Sequence, residues 1–193
     1  MFLPDLLKDK RILITGGGTG LGKSMAGRFL GLGADVIICG RREEVLQEAV
    51  ADLEKAAPGR ISCRPLDIRD PAAVEAALDA LWADGPLDAL VNNAAGNILS
   101  RTEELSPRAM DAVIGIVLHG AAYMTLACGK RWIREGRAGN VLSIVTTYAW
   151  TGSAYVVPSA MAKAGVLAMT QSLAVEWGPK NIRLNAIAPG PFP

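Results

Sequence analysis

The stretch Gly16-Gly17-Gly18-Thr19-Gly20-Leu21-Gly22 follows the apolar run Arg11-Ile-Leu-Ile-Thr15 and leads into a segment of helical spacing. Glycines at such a place let the backbone turn sharply and approach a diphosphate, whose charge then rests on the free N–H groups at the start of the helix. A glycine cluster alone also suits an ordinary turn. Between the first strand and first helix of a βαβ unit it points to a dinucleotide. Gly16, Gly18, Thr19, Gly20, Leu21 and Gly22 are then the contacting residues. The second apolar run ends Ile38-Cys39-Gly40-Arg41-Arg42, without an acid. A carboxylate there accepts hydrogen bonds from the ribose 2′-hydroxyl of NAD. It would repel a 2′-phosphate, whereas a guanidinium binds one bidentately and stacks near the adenine. NADP(H) is the expected cofactor, with Arg41 as first choice for the phosphate and Arg42 as second. The alternative for each is a solvated surface arginine.

Other chemistries find less support. Cys39, Cys63 and Cys128 lie far apart, form no CxxC pair and have no histidine at zinc-site spacing. They read as free apolar fillers in a reducing compartment. No cluster of His, Asp and Glu suggests a metal. His119, the sole histidine, sits in the Val-Leu-His-Gly segment of a helix expected to be buried, where a packed, hydrogen-bonded ring is the plainer reading than a base. The formal net charge of +1 gives no footprint for nucleic acid or an anionic membrane. The opening MFLPDLLKDKR mixes acids into a short apolar run and has no cleavage-site pattern, so a signal peptide is not expected. No uninterrupted apolar run reaches membrane-spanning length. A cytoplasmic location is the expectation, with a cytoplasm-like organelle lumen as the alternative.

The elements that must position these residues show a rhythm. Short β-branched runs at Ile12–Thr15, Val36–Cys39, Ile61–Leu66, Ala89–Asn92, Val141–Val145 and Arg183–Ile187 read as strands. Longer alanine-rich segments at Leu21–Leu32, Glu43–Ala56, Pro71–Trp82, Pro107–Arg134 and Ser159–Trp177 read as helices. Pro71 and Pro107 suit first helical turns, capped by Asp70 and Ser106. Short apolar strands separated by helices predict a parallel sheet covered on both faces, a doubly wound Rossmann α/β fold. Half the residues are hydrophobic and no composition break divides residues 1–193, so one domain is expected. Its ligand belongs at the carboxyl ends of the strands.

The spacing Thr15-Gly16-x-x-x-Gly20-x-Gly22 resembles the short-chain dehydrogenase/reductase family rather than the plain GxGxxG of other dehydrogenases. Asn92-Asn93-Ala94-Ala95-Gly96 closes the fourth strand as in that family. Asp67, after the third strand, matches the acid that contacts adenine in relatives, although alone it also suits the N-cap of a turn. The resemblance implies a cofactor site formed by Thr15, the glycine loop, Asp67, Asn93, Ala94, Ala95, Gly96, Lys163, Pro189 and Gly190. Most members carry Tyr-x-x-x-Lys on the fifth helix. The lysine lowers the tyrosine pKa and holds the nicotinamide ribose, and the phenol exchanges a proton with a carbonyl. Lys163 stands in that setting, but Ser159 lies four residues before it. The usual serine position holds Thr146, and the usual asparagine position on the preceding helix holds Val117.

These departures form a set. Ser143-Ile-Val-Thr-Thr-Tyr148 and Val156-Val-Pro-Ser159-Ala-Met-Ala-Lys163 resemble the 2,4-dienoyl-CoA reductase branch. So do Asn93-Ala-Ala-Gly-Asn97, Leu105-Ser-Pro107, Ile116-Val-Leu-His-Gly120, Leu173-Ala-Val-Glu-Trp-Gly178 and Ala188-Pro-Gly-Pro191. In that branch serine replaces the usual tyrosine, and a tyrosine displaced towards the fifth strand works with an asparagine. On this sequence they fall on Tyr148 and Asn97. Reduction of a conjugated dienoyl thioester gathers charge on the thioester oxygen, far from the carbon that accepts hydride, and so needs donors aimed at an oxyanion. The resemblance gives that role to Tyr148 and Asn97, with Ser159 in the same network and Lys163 on the ribose. As plainer alternatives, Tyr148 is a rim aromatic, Asn97 a turn residue and Ser159 the helix opener after Pro158. Tyr123 and Tyr155 are rival phenols, and Tyr155, eight residues before Lys163, falls outside the family pattern.

The implied activity is NADPH-dependent reduction of 2,4-dienoyl-CoA esters, in lipid metabolism and fatty acid β-oxidation, with an acyl-CoA thioester as small-molecule partner. The rivals are a general short-chain carbonyl reductase or alcohol dehydrogenase and a non-catalytic NADPH-binding protein. Relatives continue past this point into a substrate-covering segment, a helix and a final strand. The expectation is a Rossmann domain that stops after its sixth strand. Tetramers built through the two long helices of relatives imply a homo-oligomer, a homotetramer.

Overall fold

The structure, a computed structural model, describes residues 2–190. Six parallel strands form one sheet in the order β3-β2-β1-β4-β5-β6. They are β1 (Arg11–Thr15), β2 (Asp35–Gly40), β3 (Ile61–Pro65), β4 (Ala89–Asn92), β5 (Gly139–Ile144) and β6 (Ile182–Ile187). From β1 the chain steps outward to β2 and β3, then returns to β4 on the other side of β1. That reversal opens a crevice at the carboxyl ends of β1 and β4, the place where doubly wound sheets bind ligands.

The helices are α1 (Gly20–Leu30), α2 (Glu43–Glu54), α3 (Pro71–Ala83), α4 (Pro107–Ile114), α5 (Gly120–Arg134), α6 (Tyr148–Thr151) and α7 (Val157–Trp177). Alternation along the strands divides the core. Ile12, Ile14, Val36 and Ile38 turn towards Ala26 and Leu30 of α1 and Leu46 and Ala49 of α2. Leu13, Ile37, Leu90 and Val141 turn the other way, onto Leu78 of α3, Met124 and Trp132 of α5 and Trp177 of α7. Both faces of the sheet are therefore buried around β1, as the uninterrupted apolar strands require. The Rossmann expectation holds.

The expected element bounds agree to within two or three residues, and both caps are present. Asp70 accepts hydrogen bonds from the Ala72 and Ala73 amides at 2.9 and 3.1 Å, and Ser106 accepts one from Ala109 at 3.1 Å. Three expectations need correction. The Pro107–Arg134 helix is interrupted by a π-helical turn at Gly115–His119. The short helix α6 was not foreseen. His119 is exposed rather than buried, and its ring lies 6.0 Å from that of Tyr123. One window of Pro107–Arg134 also has a mean hydropathy of 1.7, apolar and long enough for a membrane span. Half of that window is buried against the rest of the molecule, which accounts for its apolar character as core. Pro191, part of the closing motif, lies outside the described residues.

Candidate active site

Thr15 joins the ends of β1 and β4. Its hydroxyl oxygen accepts hydrogen bonds from the Asn93 and Ala94 amides, both at 3.0 Å, and donates to the Val91 carbonyl at 3.3 Å. The Asn93 side-chain amide donates back to the carbonyls of Thr15 and Gly16, at 3.0 and 3.2 Å. Gly16 and Gly22 are packed so closely on this seam that a side chain is excluded at either. A Cβ on Gly22 would come within 2.3 Å of the Gly16 carbonyl oxygen, and one on Gly16 within 2.9 Å of the Ala94 Cα. Gly16 and Gly20 also hold φ of +65° and +51°, the left-handed region that glycine enters without a Cβ penalty. Thr19 ends the loop as N-cap of α1 without a side-chain cap, so the first amides of the helix point out unpaired by it.

A cavity of about 350 Å³ starts at this helix end. It runs past Gly40, Arg41 and Arg42 at the end of β2, past Asp67 after β3, and along Asn93, Ala94 and Ala95. Asp67 is paired with the Arg69 guanidinium, the nearer Nε contact being 2.9 Å, and that hydrogen bond holds its carboxyl below the usual range. Cys39 also lines the cavity, but burial pushes its thiol up to about 12, which leaves it an unreactive filler at neutral pH. The fit to a dinucleotide is physical: unpaired amides and a bare glycine surface for a diphosphate, with two guanidiniums at the far end of the cleft.

A second cavity, of about 400 Å³, shares Asn93 and Ala95 with the first. Asn97, Thr146, Tyr148, Ser159, Lys163, Pro189 and Gly190 line it. Tyr148, at the start of α6, and Ser159, in the first turn of α7, hold their hydroxyl oxygens 3.1 Å apart. Lys163 follows one turn later on α7, is 6% exposed and donates to the Ile144 carbonyl at the end of β5. Burial lowers its pKa to about 8. Asn97 is exposed, and its side-chain oxygen accepts the Ile98 amide at 2.9 Å, which leaves its NH2 group as a donor. The arrangement lines one cavity with three neutral donor side chains, Tyr148, Ser159 and Asn97, and with an amine whose pKa lies near 8. A match to the short chain dehydrogenase family model extends over residues 10–193.

The chain belongs to the short-chain dehydrogenase family.

Individual members are close. An uncharacterized oxidoreductase of Caenorhabditis elegans is 47% identical over 98% of this chain, which spans 61% of that protein's length. A probable 2,4-dienoyl-CoA reductase of Bacillus subtilis is 46% identical over 96% of this chain and 74% of its own. A crystal structure of a short chain dehydrogenase from Bacillus anthracis superposes with a TM-score of 0.92 at 48% identity, covering 96% of this chain and 75% of the other.

Within this family fold, every expected site residue lies on one of the two cavities except Thr15, which is buried behind them and acts through the β1–β4 seam. The expectation missed others. Ile116 reaches the first cavity from the π-helical turn, and Val45, Leu46, Leu66 and Ile68 complete its apolar wall. In the sequence these are indistinguishable from core. Thr146 is more informative: its hydroxyl is buried beside the second cavity with no hydrogen-bond partner among the described residues. The signal for it was present, since Thr146 occupies the family's serine position. Val117, at the asparagine position, is 1% exposed and packs as an apolar residue.

Proposed function

We propose that the chain carries out NADPH-dependent reduction of 2,4-dienoyl-CoA thioesters. The 3.1 Å Tyr148–Ser159 pair, in one cavity with Lys163 and the free amide donor of Asn97, carries this reading. The usual tyrosine position holds Ser159, so a phenol acts here only from Tyr148, and the pair supplies it with a hydrogen-bond partner. The name of the Bacillus subtilis relative agrees with the substrate.

The helix α1 amides and Gly16–Gly22 bind the diphosphate, and Arg41 with Arg42 binds the 2′-phosphate that separates NADPH from NADH. Lys163 holds the ribose hydroxyls near the second cavity. Bound NADPH would supply a hydride to the terminal carbon of the conjugated system, and uptake of a proton from solvent at a carbon of the resulting dienolate would complete the enoyl thioester. Tyr148 Oη and Asn97 Nδ2 donate to the thioester oxygen as it becomes a dienolate, and Ser159 orients the phenol. Lys163, whose pKa burial lowers to about 8, lines the same cavity as the phenol. Exposed Met161 and Val175 on α7 and Leu126 on α5 are proposed as contacts between copies in a homotetramer. Three unpaired thiols suit a reducing, cytoplasm-like compartment.

The test follows NADPH absorbance with a 2,4-dienoyl-CoA and, separately, with simple ketones. The expected outcome is oxidation with the dienoyl thioester alone. Turnover of ketones only, or saturable NADPH binding without turnover of either, overturns the reaction assigned here.

A further inference from the structure

Between the two hydroxyl-bearing residues of the site lies a residue in a conformation that its side chain disfavours. Tyr155 has a φ of +65° in the turn between α6 and α7. An aromatic residue enters the left-handed region only where its surroundings hold it there, because its Cβ crowds the following carbonyl. Such strain collects where geometry is used. Its ring cannot be the reason, since it is 54% exposed. The turn instead aims the Tyr155 carbonyl across to the loop after β4, where it accepts the Ser100 amide at 3.1 Å. Apart from this bond, loop 97–100 is anchored by Ile98, which packs against Val113, Val117 and Ala162. Asn97 is adjacent to that anchor and hydrogen-bonds to it.

We propose that Tyr155 is a positioning residue whose left-handed turn latches the loop bearing Asn97 to the start of α7. One backbone bond thereby fixes Asn97 relative to Tyr148 and Ser159, although the three come from different loops and helices. The inference rests on the reading of Asn97 as a donor to the substrate oxygen. Free of that bond, the 97–100 loop is tethered on one side only, and an ångström of drift in a donor is enough to slow an oriented reaction.

Two variants separate the turn from the ring. Tyr155→Val keeps an apolar side chain but is β-branched and resists positive φ, whereas Tyr155→Asn adopts it readily. Ser100→Pro deletes the donor without touching the turn. Tyr155→Val and Ser100→Pro are expected to lower kcat for 2,4-hexadienoyl-CoA by about 10- to 100-fold with the Kd for NADPH held within about twofold, and Tyr155→Asn is expected to rescue it. In native-state hydrogen exchange the Ser100 amide should be protected in the wild-type chain and in Tyr155→Asn, and exposed in Tyr155→Val. Wild-type kcat in both disruptive variants overturns the proposal, as does an unprotected Ser100 amide in the wild-type chain. If the wild-type chain does not reduce the thioester, the functional reading fails, and the exchange pattern alone decides the latch. Should Tyr155→Val not fold, Ser100→Pro and the wild-type exchange rate carry the same decision.

Discussion

A buried amine on α7 and a phenol on α6 decide whether this site can act as an acid. Among the described residues Lys163 gains no carboxylate in exchange for its lost water, only the Ile144 carbonyl, so burial dominates and its pKa falls from 10.5 to about 8. The sign of its effect on stability follows. Between pH 8 and 10.5 the unfolded chain keeps this proton and the folded chain has released it, so the Lys163 contribution to stability rises with pH across that window and is constant on either side. Over the window the wild-type chain should gain about 3 kcal/mol relative to Lys163→Met, from the linkage of about 1.4 kcal/mol per pKa unit. Denaturant unfolding of the ligand-free proteins at pH 7.5 and 10.5 measures the difference, and a constant gap would remove the case for a near-neutral lysine. Tyr148→Phe and Asn97→Ala should each reduce kcat for a dienoyl-CoA by about 100- to 1,000-fold while NADPH affinity, read by fluorescence titration, stays put. A wild-type rate in both would leave the oxyanion without its assigned donors.

At the scale of elements, small residues and caps set how closely the helices approach the sheet. Gly129 on α5 faces the ring of Trp177 on α7, and a Cβ there would lie 2.3 Å from it. Trp177 is buried and must move to admit it. Gly129→Ala should therefore destabilise the fold by about 1–3 kcal/mol, the usual range for overpacking, without changing the site residues themselves. Asp70→Ala loses two amide hydrogen bonds at the start of α3 and should cost about 1 kcal/mol. Urea midpoints of the two variants check both, and a neutral Gly129→Ala would mean that α5 and α7 are farther apart than described. The caps and strands were legible in the sequence because each follows from local residue types: proline after an aspartate or serine, and short apolar runs rich in β-branched residues between helical segments. The π-helical turn at Gly115–His119 was not, since its residues continue the apolar pattern on either side. Within it Ile116 lines the first cavity while His119 is exposed. A buried histidine was the reasonable expectation for an uninterrupted helix.

At the scale of the whole molecule, the two cavities meet at Asn93 and Ala95, so a single elongated ligand can reach from Arg41 to Lys163. A ligand that binds only the folded state stabilises it in proportion to the logarithm of one plus its free concentration divided by its Kd. NADPH at about 100 times its Kd should add about 2.7 kcal/mol and raise the melting temperature, whereas NADH at equal concentration should add less. Arg41→Asp should reverse that order in a thermal melt. Equal shifts for the two nucleotides in the wild-type chain would count against a 2′-phosphate site. The glycine loop between strand and helix, the absence of an acid after β2, the strand–helix alternation and the family were all determined by the sequence itself, because each depends on neighbours a few positions apart. The tertiary structure alone decided that the Tyr148 and Ser159 hydroxyls meet at 3.1 Å, that the Thr146 hydroxyl has no hydrogen-bond partner among the described residues, and that Tyr155 reaches Ser100. Those facts depend on where the end of β5, the short helix α6 and the loop after β4 come together. Contacts between segments so distant in the chain are set by how helices and sheet pack, which no local pattern encodes.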